Sequence, residues 1–319
     1  MSVEQAIQPA VSCQGVCKSF GKTVALQGID LTLSEGSLLG IIGPDGAGKT
    51  TLIRIIATLL NPDAGEVSVL GHDVKRDYRP LRHQIGYMPG RFSLYQDLTV
   101  RENLEFFATV YKTTVEENYH LIEDIYKMLL PFEKRPAGKL SGGMKQKLAL
   151  SCALIHKPRL LLLDEPTTGV DPVSRREFWQ MLSKLCEQGE ITMIVSTPYM
   201  DEAVLCDQVA LMKDGQILSI DTPDGLVSNM DRALWSATAE DMGDLLLKLR
   251  SLNGVLSSFA FGEAHHFTFD EQVITPEEIH TRLLEQGVRG LNIRKIPPSI
   301  EDYFLIISQE SYPPPHALH

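Results

Sequence analysis

The 319 residues contain no apolar run near the roughly 20 positions that a bilayer-crossing helix needs. The chain is therefore not expected to span a membrane, and any action on one would pass through partners. Positive charge is also in short supply. Lys and Arg number 30 against 41 Asp and Glu, a formal net charge of −11. A general nucleic-acid partner would want the opposite balance. Cysteine is sparse, and its five positions, Cys13, Cys17, Cys152, Cys186 and Cys206, are scattered. Cys13 and Cys17 lack a second pair at metal-ligand spacing, so ordinary thiols in a reducing compartment are expected. No basic segment followed by an apolar core suggests a secretory leader. Internal repeats are missing too.

What is present is a core and a loop. With 43% hydrophobic residues and a length beyond one average domain, one large and one small domain are expected. The organising stretch is Gly43, Pro44, Asp45, Gly46, Ala47, Gly48, Lys49, Thr50 and Thr51, which fits the phosphate-loop pattern G-x-x-x-x-G-K-[ST]. The apolar run Leu38–Ile42 before it reads as a buried strand, and Leu52–Ala57 after it can continue as a helix. Backbone N–H groups in such a loop make an anion nest, and the helix N-terminus adds positive potential. Lys49 should reach the β- and γ-phosphates, and Thr50 should hold Mg²⁺.

The segment Val11–Glu35 alternates as a β-meander. Phe20 lies between its strands and is either a core residue or an aromatic that stacks on a base. Strands are expected at Glu66–Leu70 and Ile85–Pro89, then a helical insertion over about 91–157, with helical periodicity from Leu98 to Leu130. Ser141 is a natural N-cap for the helix after it. The four leucines 160–163 read as a central parallel strand, which delivers Asp164 and Glu165 to its C-terminal end. Two further strands, Ile191–Val195 and Gln208–Met212, precede a return at Ile217–Ile220. Residues 1–10 read as a tail and 11–229 as the main domain. Residues 230–308 read as a βαββαβ, ferredoxin-like α+β domain with a last helix at Ser299–Ser308, and 309–319 as a second tail.

At the end of that strand, Asp164 can hold Mg²⁺ and Glu165 can polarise the water that attacks a γ-phosphate. The phosphate loop, Asp164-Glu165 and the intervening Leu140-Ser141-Gly142-Gly143-Met144 together resemble the ATP-binding cassette (ABC) ATPases over about residues 11–225. The resemblance implies an α/β phosphate-loop core with a β-subdomain and a helical subdomain, ATP and Mg²⁺ as cofactors, and ATP hydrolysis. It also implies a head-to-tail pair of cassettes in which each ATP lies between one chain's phosphate loop and the other's Ser141, Gly142 and Gly143. Phe20 matches the family's adenine-stacking aromatic, and Gly169-Val170-Asp171 matches the loop that crosses the dimer interface. Pro297-Pro298-Ser299-Ile300-Glu301-Asp302-Tyr303-Phe304 looks like the closing motif of ABC-2-type exporter cassettes. Asp45 and Lys139–Lys147 are similar to the first half of fused two-cassette multidrug ATPases. ABC-2-type transmembrane permease subunits are the partners so implied, and a bacterial inner membrane, on its cytoplasmic face, the location.

Two positions depart from the family pattern. Gly90 stands where a Gln is usual and Pro198 where a His is usual. The loss of both side chains, with the Ser-Gly-Gly corner intact, points to a slow site on this chain's own loop and to a heterodimer with a second cassette. Phe92, Leu94 and Tyr95 either line a groove for a permease helix or pack inside the helical insertion. DNA-tethering relatives need a long coiled coil between loop and signature, and too few residues separate Gly43 from Ser141 for that. Ribosomal relatives carry two cassettes and a charged linker, and this sequence has one cassette. A regulatory module that senses ATP without hydrolysing it remains the competing class.

Overall fold

The structure is a computed structural model that describes residues 8–310 apart from 92, 188 and 190. Two compact units are formed, Met1–Thr222 and Pro223–His319. In the first, six described strands make one sheet in the order Gln216–Asp221, Gln208–Lys213, Leu38–Ile42, Thr192–Thr197, Leu160–Asp164, Ile85–Met88. All pairings are parallel except that of Gln216–Asp221 with its neighbour. The three middle strands are buried at every position. That explains their nearly unbroken apolar sequences, because a parallel sheet is covered on both faces.

Register then positions the chemistry. Ile42 pairs with Thr197, and Asp164 pairs with Ser196. Three strand ends therefore lie side by side, and the chain leaves each of them at the same edge of the sheet. This is where ligands bind in open α/β sheets. Helix Lys49–Ile56 starts from the phosphate loop and buries Leu52, Ile53, Ile55 and Ile56. These four side chains form one broad apolar face, which must be enclosed. It is enclosed between the parallel sheet and a four-stranded antiparallel sheet ordered Thr23–Leu33, Val11–Phe20, Ala64–Val69, His72–Asp73. Leu26, Ile29, Leu31 and Leu33 join Leu160, Leu162 and Ile194 in one core around it.

The α/β class holds, and several sequence boundaries shift. The periodic stretch from Leu98 to Leu130 is broken into helices Val100–Val110 and Tyr119–Tyr126. Lys112, at φ +59°, turns the chain between them. Helix Pro172–Glu187 was not anticipated, although Asp171 followed by Pro172 is a helix-start signal. Short helices at Tyr78–Arg82 and Pro223–Ser228 were not anticipated either. Residues 8–10 of the expected tail are described, and Ala10 is buried with its carbonyl accepting from the Leu70 N–H. Residues 1–7 and 311–319 of the expected tails lie outside the described residues, as does Phe92.

The second unit carries strands in the order Val255–Phe261, Ala264–Phe269, Leu234–Thr238, Asn292–Ile296, with every neighbour antiparallel. Helices Met242–Ser251 and Pro276–Glu285 supply Leu245, Leu249, Ile279 and Leu283 to a core with Ala237 and Phe267. This is the ferredoxin-like βαββαβ arrangement. The expected boundary near Asn229 moves to Thr222/Pro223, because helix Pro223–Ser228 packs on the final helix, Ile300–Glu310.

The Pro-Pro-Ser-Ile-Glu-Asp stretch has a structural reason here. Ser299 and Asp302 cap the final helix reciprocally: the Ser299 N–H donates to Asp302 Oδ2 at 2.9 Å, and the Asp302 N–H donates to Ser299 Oγ at 3.2 Å. The remaining oxygen, Oδ1, lies 2.6 Å from His266 Nδ1 on the sheet. Asp302 is 3% exposed, so its removal strands several buried polar groups. Asp302→Ala is expected to destabilise the Pro223–His319 unit by about 2–4 kcal/mol in urea unfolding. An unchanged transition would contradict this reading of the motif.

Candidate active site

Gly43 follows directly on the strand that feeds the loop, and its backbone lies against Met212. A methyl group there would collide with the Met212 carbonyl oxygen, so no other residue fits. At the far end Gly48 sits at φ +103°, a conformation that favours glycine, and starts helix Lys49–Ile56. Pro44, Asp45 and Gly46 are exposed, and Ala47 is buried, with its N–H donating to the Pro44 carbonyl at 3.2 Å. Thr51 follows, half-buried, in the helix's first turn. The helix has no side-chain cap at Gly48. Its first N–H groups are therefore left to an anion.

Lys49 is only 3% exposed. Its Nζ donates to the carbonyls of Gly43 at 2.8 Å and Pro44 at 3.0 Å, and lies 3.3 Å from Glu165 Oε1. Thr50 Oγ1 donates to Asp164 Oδ1 at 2.9 Å. Loop and strand end are thus joined by two contacts, one through each residue of the Asp164-Glu165 pair. Glu165 itself stands at φ +50°, a strained conformation for a residue with a side chain.

The residue that organises this corner, Ser196, was missed in the sequence. It is fully buried. Its hydroxyl donates to Asp164 Oδ1 at 2.8 Å and accepts from the Glu165 N–H at 3.0 Å. One side chain therefore orients the aspartate and holds the strained glutamate backbone. The only signal for it was the polar pair Ser196-Thr197 closing an apolar strand. Gly90 lies beside the same corner: a Cβ at that position would stand 3.0 Å from the Asp164 carbonyl oxygen and 3.7 Å from Glu165 Cβ. Pro198 follows directly on the strand that carries Ser196.

Ser141, Gly142 and Gly143 form a second cluster, separate in its bonding from the first. Ser141 caps helix Gly142–Leu154, accepting from the Met144 N–H at 3.4 Å. Ser141 and Gly142 are exposed. Gly143 is buried against Ser174, which a Cβ would strike at 2.5 Å. Asp171 caps helix Pro172–Glu187 from alongside, with Oδ1 accepting from the Ser174 N–H at 3.0 Å. That bond, above all, holds the Asp171 carboxyl below its usual range. Among the described residues, no hydrogen bond or ion pair joins this corner to the phosphate loop.

Phe20 is 51% exposed at the end of its strand, with Lys18 Nζ 5.6 Å from its ring, so it is not a core residue. Leu94 is buried, while Tyr95 is half exposed and edge-on to Phe106 at 4.7 Å. Buried Asn103 fixes the turn beneath them: it donates to the carbonyls of Tyr95, Leu98 and Thr99 and accepts from the Tyr95 N–H. All five cysteines are free thiols. Burial pushes the Cys13 thiol up to about 12, which keeps it protonated and unreactive.

The family model described as ABC transporter matches residues 26–168. The "Probable multidrug ABC transporter ATP-binding protein YbhF" of Escherichia coli K12 is 40% identical over 88% of this chain, and the chain spans 48% of its length. The "Nod factor export ATP-binding protein I" of Rhizobium sp. strain N33 is 35% identical over 93% of this chain and 96% of its own. The chain belongs to the ABC transporter ATPase family. Among solved structures, the ATP-binding cassette MJ0796, in a dimeric post-hydrolysis state bound to ADP and Pi, is similar at 29% identity. Its TM-score is 0.60, covering 66% of this chain and 98% of that one. The cassette is thus a phosphate-loop ATPase. No helix among the described residues is long and apolar enough to cross a membrane.

Ser196→Ala in the cassette is expected to lower ATP turnover about 10–100-fold while nucleotide affinity changes little. Ser196→Thr, which keeps the hydroxyl, should restore much of the rate. A steady-state assay with turnover unchanged in Ser196→Ala would remove Ser196 from its positioning role. Gly43→Ala should abolish nucleotide binding in a fluorescent-nucleotide titration. Wild-type affinity in that variant would contradict the close approach to Met212.

Proposed function

We propose that the chain supplies ATP hydrolysis to a membrane exporter, working as one half of a two-cassette clamp. The observation that carries this is the division of the chemistry into two clusters. The phosphate loop, Asp164 and Glu165 make one, and exposed Ser141 with Gly142 makes the other, with no bond between them. In this reading a second cassette presents its own serine corner to the loop, as the family resemblance implies. The relatives named for multidrug and Nod factor export support the exporter assignment. ABC-2-type permease subunits are then the transmembrane partners. The cassette would lie peripherally on the cytoplasmic face of a bacterial membrane.

The residues divide the work as follows. Lys49 exchanges the Gly43 and Pro44 carbonyls and Glu165 for the β- and γ-phosphates of ATP, and the loop N–H groups take the remaining oxygens. Phe20 stacks on the adenine. Thr50 and Asp164 place two oxygens 2.9 Å apart, a hard-donor set suited to Mg²⁺, which neutralises phosphate charge when bound. Glu165, released from Lys49, accepts the proton of the attacking water. Asp171 and Ser141 face the partner.

Gly90 and Pro198 make this chain's own site slow. A side chain at position 90 would meet the Asp164-Glu165 corner, and glycine puts no donor there. Proline has not even a backbone donor to offer. A missing preorganised donor typically costs about 10²–10³ in rate. The second site, built from this chain's Ser141 corner and a partner's intact loop, carries most of the turnover. The same two positions favour one other reading, a module that senses ATP without hydrolysing it.

The purified chain alone should hydrolyse ATP slowly, and adding a second cassette should raise turnover well above the sum of the two. Gly90→Gln with Pro198→His should accelerate the chain alone by about 10-fold or more. Fast hydrolysis by the unmodified chain on its own would overturn the asymmetric assignment. No ATP-dependent gain with any partner would favour the sensing module.

A further inference from the structure

We propose that the face around Tyr78 binds an anionic phospholipid surface, independently of any permease. In a chain that carries −11 overall, residues 75–82 hold four cations, Lys75, Arg76, Arg79 and Arg82, all exposed. Among the described residues, no carboxylate forms an ion pair with any of the four. The two acids nearest in sequence, Asp73 and Asp77, are occupied elsewhere. Asp73 accepts from the backbone N–H groups of Lys75 and Arg76, both at 2.8 Å. Asp77 accepts from the Asp73 N–H at 3.2 Å and lies 3.9 Å from His72. Their hydrogen-bonding capacity goes to backbone and His72, and the cationic heads face outward.

Two of the four cations, Lys75 and Arg82, line a cavity of about 280 Å³ together with Thr58, Leu59, Asn61 and Tyr78. Arg82 is preorganised on its wall. Its Nε donates to Thr58 Oγ1 and its Nη2 to the Thr58 carbonyl, both at 2.9 Å, and the guanidinium stacks over Tyr78 at 5.1 Å. Arg79 lies against the same ring at 5.8 Å. Thr58, which anchors the guanidinium, is itself held at φ +61°. A fixed guanidinium that keeps its other N–H groups free is the donor that suits a phosphate. Leu59, on the cavity wall, is 52% exposed, an apolar contact for the region just beneath a headgroup.

A membrane surface fits this pattern better than an acidic peptide does. The four cations are exposed along one stretch of surface, two of them on the cavity wall, where Leu59 is also half exposed. Clustered cations contribute roughly fivefold each to partition onto an anionic leaflet, and the effect is screened by salt. The bound lipid would hold the cassette at the bilayer on the side of its antiparallel sheet and Tyr78–Arg82 helix.

The test is co-sedimentation of the full chain with vesicles of phosphatidylcholine alone or mixed with phosphatidylglycerol. Binding should require phosphatidylglycerol and fall steeply as salt rises. Arg76→Glu with Arg79→Glu, neither of which bonds to the fold through a carboxylate, should lower it more than tenfold with ATPase activity retained. Lys134→Glu with Arg289→Glu, an equal change of charge at exposed positions elsewhere, should leave most of the binding. Equal binding to neutral vesicles, or an equal loss in both double variants, would overturn the proposal. So would a double variant at 76 and 79 that still binds vesicles but no longer captures detergent-solubilised permease, which would give the face to protein instead. These outcomes do not depend on the clamp, because vesicle binding is read without ATP.

Discussion

The fold's chemistry hangs on one hydrogen-bonded junction, where Asp164 accepts from both Thr50 and Ser196. Thr50 belongs to the helix that leaves the phosphate loop, Asp164 to the leucine strand, and Ser196 to the strand between that strand and the loop's own. Three elements far apart in sequence are thereby fixed to within one bond of each other. The sheet makes this possible because its register sets Asp164 beside Ser196 and Ile42 beside Thr197. Apolar burial on both faces holds the strands and gathers their buried polar ends at one edge of the sheet.

From this junction follow the strain at Glu165 and the captivity of Lys49. A left-handed glutamate persists only where its surroundings over-determine it, and the Ser196 hydroxyl supplies part of that. Lys49, nearly buried, is satisfied by two carbonyls and Glu165, all of them groups that a triphosphate can replace. The site is preorganised in its loop and guarded in its charges. In the proposed clamp a partner's serine corner would complete it, and the exposed serine corner at the start of Gly142–Leu154 is the surface this chain would offer in exchange.

Much of this could be read from the residues, for physical reasons that differ by element. Glycines and lysine in a phosphate loop are dictated by local backbone geometry, so spacing reveals them. The leucine strand announces itself because double-sided burial leaves no polar alternation. The βαββαβ order of the second unit is legible because its periods switch cleanly between two and 3.6 residues. Ser196 was not legible, since a hydroxyl closing a strand looks like any strand end until register puts it beside Asp164. Helix Pro172–Glu187 was less legible because its start signal, Asp171-Pro172, overlaps the loop motif Gly169-Val170-Asp171. The break at Lys112 was invisible because a left-handed lysine has no composition signature.

In the proposed clamp the nucleotide site on this chain is half a site, completed by a second subunit. Analytical ultracentrifugation of the Glu165→Gln cassette measures this most directly, with and without ATP and Mg²⁺, alone and mixed with a second cassette. The expected result is monomer without nucleotide, a paired species with it, and no pairing when Ser141→Arg blocks the corner in this chain. A cassette that binds ATP tightly while remaining monomeric in every mixture, with Ser141→Arg indistinguishable from its parent, would contradict it.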